Sequence, residues 1–287
     1  MSARVINLSC YKFTPLGDLE SWKVKLFETC TLQGIKGTIL LAPEGINFFL
    51  AGTQEQLAVV LALIRSIPGL ADVTPKESPS AEQPFKRMLV KIKQEIIAFG
   101  IPGVDPARKP SPKLKAAELK RWLDEGRPVV MLDTRNKYEV RMGTFRGAIA
   151  PDIWNFRDFP KAVEKLPADL KDRPVVMFCT GGIRCEKAGP FMEMLGYKNV
   201  HQLDGGILKY FEEVGGDHYD GECFVFDERV GLDPKLQPTD SVLCFNCQMP
   251  LSAEQQKDPR YVYEKSCPYC FGGKPHGRGN TGEWSGE

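Results

Sequence analysis

Six residues near the middle of the chain, Cys179-Thr180-Gly181-Gly182-Ile183-Arg184, combine a nucleophile, a flexible turn and a fixed cation. The run before them, Val175-Val176-Met177-Phe178, is apolar and β-favouring, as in a strand buried on both faces of a parallel sheet. The two glycines permit dihedrals that turn successive N–H groups inward. A helix opening near Cys185 would point its N-terminal dipole back at the Cys179 sulfur. Amides, dipole and the Arg184 guanidinium together favour the ionised thiol at neutral pH. An ionised thiol in an anion cradle is a nucleophile. The predicted catalytic group is therefore Cys179, and the predicted cradle is Thr180, Gly181, Gly182, Ile183 and Arg184. The alternative is a buried, inert cysteine followed by an ordinary glycine turn, the common fate of a lone cysteine. Two glycines, an arginine and a helix start in register argue against it. Cys185 has two open readings, a resolving thiol and a packing residue.

Loop length narrows the chemistry. Arginine falls five residues after cysteine, which resembles the rhodanese loop that carries sulfane sulfur as a persulfide. Cysteine phosphatases have a related loop one residue longer, usually with His just before the cysteine, where this chain has Phe178. A second sulfur cluster lies further on. Cys244-Phe245-Asn246-Cys247 and Cys267-Pro268-Tyr269-Cys270 form two CxxC pairs separated by 19 residues. That spacing predicts a structural zinc site, four thiolates closing a tetrahedron with no open position. Two disulfides or an accessory thiol relay are the competing readings.

The elements that position these groups follow from pattern. At 287 residues the chain exceeds one typical domain, and its net charge of +1 gives no global signal for nucleic acid or membrane. No apolar run is long enough to span a bilayer, and the N-terminus lacks the apolar core of a signal peptide, so a cytoplasmic protein is expected. Nine cysteines in that setting are catalytic or metal-binding rather than disulfide-bonded.

Residues 1–100 alternate strand and helix signals in the order βαββαβ, which fits a ferredoxin-like α+β domain. The helix near 53–67 opens on the capping-box pattern Thr53-Gln54-Glu55-Gln56, and residues 88–93 read as the last strand. Residues 101–113 form a basic, Pro-broken linker, a solvated hinge by composition and a phosphate-backbone contact in the sharper reading. Residues 114–217 repeat a strand–helix rhythm and predict a rhodanese-like domain with a parallel sheet. There Arg127-Pro128-Val129-Val130-Met131 is echoed by Arg173-Pro174-Val175-Val176-Met177. Asp133 and Arg135, in a run resembling a rhodanese framework motif, would project at the sheet's carboxyl edge beside Cys179. They are either a buried structural ion pair or supporting site residues. Leu203-Asp204-Gly205-Gly206-Ile207 resembles a second framework motif. Gly143-Thr144-Phe145-Arg146-Gly147-Ala148 stands where many rhodaneses have Gly-His-Ile. Residues 218–287 form a small Cys-rich C-terminal module with a polar, Gly-rich tail from Gly272, expected to be disordered. The fold class is thus α/β, with three such parts in series.

The whole pattern resembles one family. Gly37-Thr38-Ile39-Leu40-Leu41-Ala42-Pro43-Glu44-Gly45-Ile46-Asn47, the CTGGIRCEK run from Cys179 to Lys187, Gly221-Glu222-Cys223-Phe224-Val225-Phe226-Asp227 and the paired CxxC motifs recur in this order. The chain is similar over nearly its whole length to the rhodanese-domain, oxygen-dependent tRNA uridine hydroxylases. The resemblance implies conversion of the wobble uridine, position 34, to 5-hydroxyuridine, with molecular oxygen as co-substrate and tRNA as partner. By position, Cys179 matches the essential cysteine and Arg184 the loop arginine. Thr180 departs from the methionine more usual there, which alters loop packing and leaves the amides in place.

Residues and resemblance pull apart on the chemistry. The residues alone indicate sulfur transfer, with a sulfurtransferase carrying a Cys179 persulfide as the alternative function. A non-catalytic scaffold binding a regulatory anion is a third reading. Oxygen activation finds no flavin, haem or iron signature. With only His201, His218 and His276, a two-His-one-carboxylate triad is hard to assemble, and no GxGxxG follows a strand. His218 reads as a satisfied structural histidine. Covalent addition of Cys179 to the pyrimidine, or its oxidation to a sulfenate or persulfide, would reconcile the two. No protein partner and no membrane are expected. In the leading reading the N-terminal domain, the basic linker and the zinc-like module grip the RNA.

Overall fold

The computed structural model describes residues 5–273 and divides into two compact units after Ala98. His276 and the Gly-rich tail from 274 onward lie outside the described residues. The first unit runs β1 (Val5–Phe13), α1 (Leu19–Leu32), β2 (Lys36–Ala42), β3 (Gly45–Gly52), α2 (Gln54–Arg65), β4 (Lys76–Ser80) and β5 (Met88–Ile92). Its sheet has the order β4-β1-β3-β2-β5, antiparallel except where β5 joins β2 in parallel. Leu26 and Cys30 of α1 and Leu57, Val60 and Ile64 of α2 pack with Ile39, Leu41, Ile46 and Phe48 of the sheet. The α2 capping box forms as its spacing predicts. The Gln56 N–H donates to Thr53 Oγ1 at 3.4 Å and the Thr53 N–H to Gln56 Oε1 at 2.8 Å.

One strand was not visible in the pattern. Lys76-Glu77-Ser78-Pro79-Ser80 takes the place beside β1, and Met88–Ile92 becomes a fifth strand on the opposite edge. The segment is polar and Pro79 cannot donate to a ladder, so it gives no strand signal. It is tolerated because an edge strand has a neighbour on one side only.

The second unit begins with β6 (Lys113–Leu114), α3 (Ala116–Asp124), β7 (Val130–Asp133), α4 (Lys137–Val140), β8 (Gly143–Phe145) and α5 (Phe159–Val163). It continues with β9 (Val175–Phe178), α6 (Ile183–Met194), β10 (Val200–Leu203) and α7 (Gly206–Val214). Short strands follow: β11 (Tyr219–Gly221), β12 (Cys223–Phe224), β13 (Gly231–Leu232), β14 (Val242–Leu243) and β15 (Pro250–Leu251). The main sheet is parallel, in the order β6-β10-β9-β7. The two echoed segments are direct neighbours, Val130 opposite Val175 and Met131 opposite Val176. β9 lies between β7 and β10 with all four residues buried, so it delivers Cys179 to the middle of the sheet's carboxyl edge.

The basic segment before β6 stays largely exposed and is anchored to the fold at a few points. Ser111 is buried, Lys109 pairs with Glu193 at 2.7 Å and Lys113 with Glu186 at 3.3 Å, both carboxylates on α6. Gly189 makes the room, since a Cβ there would lie 1.9 Å from Ser111 Oγ. The Cys-rich segment also shares a core with this unit. Cys244, Cys247, Met249, Leu251, Cys267 and Cys270 pack with Tyr138, Met142 and Phe224. Among the described residues, no helix is long and apolar enough to cross a membrane.

Candidate active site and candidate metal centre

Cys179 follows β9 directly. Gly182, at φ 103°, turns the chain into α6, which opens at Ile183. The helix therefore starts two residues earlier than the sequence implies, and Arg184 sits in its first turn rather than in the loop. The Gly182 N–H donates to Cys179 Sγ at 3.1 Å. The loop carbonyls face the other way. Cys179 O accepts from the Ile207 N–H at 3.0 Å and Thr180 O from the Leu208 N–H at 3.2 Å, both from the first turn of α7. That close approach explains the glycine pair before Ile207. Gly206 has φ 69°, and a Cβ on it would lie 2.4 Å from Cys179 O. One helix takes the carbonyls, which leaves the amides free to turn toward the sulfur.

Burial alone would push the Cys179 thiol up. It is outweighed by a hydrogen bond from Cys185, the charge of Arg184 and the Arg184 and Gly182 amides, which bring the thiol from 9.0 down to about 5. Cys185 moves the opposite way. Burial raises it first, and the neighbouring Cys179 anion raises it further. Its hydroxyl neighbour is Thr134, with Oγ1 at 3.6 Å. Beside the Cys179 anion, Cys185 is thus favoured as the neutral thiol.

Arg184 does not reach for the sulfur. Its Nη1 donates to Glu139 Oε2 at 2.6 Å and its Nη2 to Glu139 Oε1 at 2.7 Å. Both residues are buried, so the guanidinium acts on Cys179 through its charge. Glu139 is fixed in turn by the Asn136 N–H at 3.0 Å. Sequence reasoning missed Glu139 as a site residue. The available signal was the Asn136-x-x-Glu139 spacing at the start of α4, where an N3 carboxylate reaches back to the cap.

Asp133 and Arg135 are fully buried against each other. Arg135 Nε donates to Asp133 Oδ1 at 2.9 Å and Nη2 to Oδ2 at 2.6 Å, while Nη2 also reaches Gly143 O at 2.6 Å. Thr144 Oγ1 donates to Asp133 Oδ2 at 2.8 Å. The pair ties the end of β7 to β8. His218 likewise has a partner, Asp124, at 2.7 Å.

A second contact missing from the sequence reading crosses the loop. Thr180 Oγ1 donates to Phe224 O at 3.3 Å, and the Phe226 ring lies 5.8 Å from the Arg184 guanidinium. The segment containing Cys223, Phe224 and Phe226 is thereby laid against the Cys179 loop.

The four remaining paired cysteines converge. Their ligand atoms all lie within 4.8 Å of one another, with Cys247 to Cys267 at 3.5 Å, Cys267 to Cys270 at 3.8 Å and Cys244 to Cys270 at 3.9 Å. A tetrahedron of thiolates at about 2.3 Å from zinc has edges near ~3.8 Å. The buried group fits a metal such as zinc.

Comparison with known proteins agrees with this architecture. The family model of a UPF0176 acylphosphatase-like domain matches residues 5–96, and that of a rhodanese-like domain matches residues 115–213. A relative from Cupriavidus taiwanensis named tRNA uridine(34) hydroxylase is 52% identical over 276 residues, covering 94% of this chain and 98% of its own. A relative of the same name from Paraburkholderia xenovorans is 50% identical, covering 93% of this chain and 96% of its own. Among solved structures, a rhodanese-like domain from Anabaena sp. is 26% identical, with a TM-score of 0.32, and covers 38% of this chain and 79% of that one.

Proposed function

The chain belongs to the tRNA uridine(34) hydroxylase family, and from that premise we propose that it converts the wobble uridine of tRNA to 5-hydroxyuridine through the Cys179 thiolate. The observation that carries the reading is the sulfur itself, held ionised by an amide at 3.1 Å and a buried guanidinium. Uracil is an electrophile at C6. Attack by Sγ forms an S–C6 bond and moves the C5–C6 π pair toward C5 and O4, which makes C5 nucleophilic. C5 then forms a C5–O bond to molecular oxygen, the O–O bond breaks on two-electron reduction, and loss of the C5 proton with cleavage of the S–C6 bond restores the thiolate. Over the cycle C5–H becomes C5–OH. Molecular oxygen supplies the atom, and two electrons and two protons from a cellular reductant carry its partner to water. Cys185, the protonated neighbour, is placed to donate to the resting thiolate.

The enzyme is an oxidoreductase, and with tRNA as substrate the cytoplasm is its compartment. Cys244, Cys247, Cys267 and Cys270 would hold a structural zinc ion, whose role would be to close the Cys-rich segment.

Nucleoside mass spectrometry of tRNA from a deletion strain tests the reading. Complementation with the wild-type chain restores 5-hydroxyuridine and its derivatives, and Cys179→Ser does not. Loss of thiolated uridine instead would support sulfur transfer, and full restoration by Cys179→Ser would remove the cysteine from the chemistry.

A further inference from the structure

The four clustered cysteines are buried, yet residues directly beside them are not. Phe245, inside the first CxxC, is 69% exposed, and Phe271, just after the second, is 58% exposed. The cysteines they follow, Cys244 and Cys270, have their sulfurs 3.9 Å apart, so both phenylalanines stem from the same end of the cluster. A single exposed ring is ordinary, but two beside an uncompensated cation are not. That cation is Arg141. Its guanidinium carbon lies 5.1 Å from the ring centre of Tyr269, within the second CxxC, and 5.9 Å from that of Trp154. Arg141 is exposed and, among the described residues, has no carboxylate partner. A guanidinium resting on rings keeps its N–H edge for a ligand.

Arg141 also ties this surface to the reactive cysteine. It caps α4, and Glu139, two residues earlier, holds Arg184 in the first turn after the Cys179 loop. The wobble uridine of the family's substrate lies in an unpaired loop. An enzyme acting on one base of such a loop must hold the neighbours unstacked, and unpaired bases stack on aromatic rings and guanidinium planes. Charge makes stacking the main contact. Lys137 is paired with Asp152 at 2.7 Å and Arg260 with Asp258 at 2.6 Å, while exposed Glu264 and Lys265 offset each other. Four thiolates on a divalent ion would add two negative charges. Such a surface does not gather phosphates by its potential. It offers ring faces to bases, with Arg141 at their side.

We propose that Phe245, Phe271 and Arg141 form the docking surface for the unpaired nucleotides flanking the wobble uridine: the rings stack on bases and the guanidinium takes a neighbouring phosphate. This rests on the proposed function for tRNA as the ligand and needs no chemistry at Cys179.

The test is fluorescence anisotropy of the full chain with a labelled tRNA anticodon stem–loop containing uridine 34, and with the same stem as a plain duplex. Phe245→Ala and Phe271→Ala each weaken stem–loop binding at least about fivefold, whereas Phe245→Tyr and Phe271→Tyr retain it. Arg141→Gln reduces the slope of log affinity against log salt by about 0.7, as for one phosphate of a single strand. Duplex binding is unchanged in the ring variants. Phe27→Ala, which removes a 46%-exposed ring from α1, changes neither. Alanine variants that bind the stem–loop like wild type overturn the proposal, and so does equal weakening of the duplex or by Phe27→Ala. Light scattering identifies the other occupant: a wild-type dimer that the ring variants dissociate, with RNA binding intact, also overturns it. If an alanine variant does not fold, Phe271→Trp is used instead. Quenching of its added indole emission by the stem–loop supports stacking, and unchanged emission overturns it. The two readings fail separately. Ring variants that lose binding beside a Cys179→Ser variant that still hydroxylates tRNA sink the proposed chemistry. Ring variants that bind normally beside an inactive Cys179→Ser variant sink this inference alone.

Discussion

Cys179 has an amide N–H at 3.1 Å and a guanidinium beside it, whereas Cys244, Cys247, Cys267 and Cys270 face mainly one another, the nearest pairs at 3.5 to 3.9 Å. Burial opposes ionisation at both places, so burial does not distinguish them. The difference lies in what surrounds the sulfur. At Cys179, donors and a cation outweigh burial and bring the thiol down to about 5. In the four-cysteine group, burial pushes Cys267 up to about 11 and Cys247 higher still. Cys270 goes the other way because hydrogen bonds, beginning with the Cys267 amide, outweigh burial. A divalent metal would supply the charge that lets these buried thiols ionise together. The surroundings of Cys179 favour an ionised thiol, whereas the four-cysteine group fits a metal such as zinc.

The largest effect that would break this contrast is at Cys179 itself. Cys179→Ser removes the thiolate, and the 5-hydroxyuridine signal is expected to fall below detection in tRNA mass spectrometry. Next comes the metal group. Cys267→Ser should cost several kcal/mol and lower the melting temperature by roughly 10 °C, read by calorimetry, because it leaves the core shared with Tyr138 and Phe224 without its closure. An unchanged melting curve would mean that the four thiols pack without metal.

Arg184→Gln sharpens the electrostatic half. Without the cation the Cys179 thiol should rise by about 1 to 3 units, and Glu139 is left buried without its partner, costing about 3–5 kcal/mol. Ultraviolet titration and chemical denaturation read the two effects separately. Gly206→Ala should cost about 1–3 kcal/mol, because its Cβ would collide with Cys179 O at a left-handed position. The smallest change is Thr180→Val, which removes one hydroxyl bond to Phe224 O and should cost about 1 kcal/mol.

How much of this was legible depends on how far apart the partners lie in sequence. The Thr53–Gln56 box and the convergence of the CxxC pairs are local patterns that form as their spacing predicts, whereas Arg184 lies in the first turn of α6 and pairs with Glu139. Glu139 was not legible as the partner of Arg184, because 45 residues separate them and only the β7–β9 pairing brings them together. The same holds for Phe224 O, 44 residues from Thr180. The edge strand β4 was hidden by Pro79 and its polar neighbours. The basic segment before β6 reads as a hinge by composition, and its exposed Lys109 and Lys113 pair with Glu193 and Glu186 on α6. Composition shows which charges are present but not which carboxylates a distant helix brings to them.

The protonation state of one sulfur is the central claim. Because the native thiol lies below its ordinary 9.0, ionised Cys179 stabilises the fold fully above that pH, and the contribution is lost as pH falls through about 5. The direct measurement is the ultraviolet thiolate absorbance of the wild-type chain minus that of Cys179→Ser, followed across pH. The account predicts a single step near about 5. A step at the ordinary thiol value of 9.0 would contradict it.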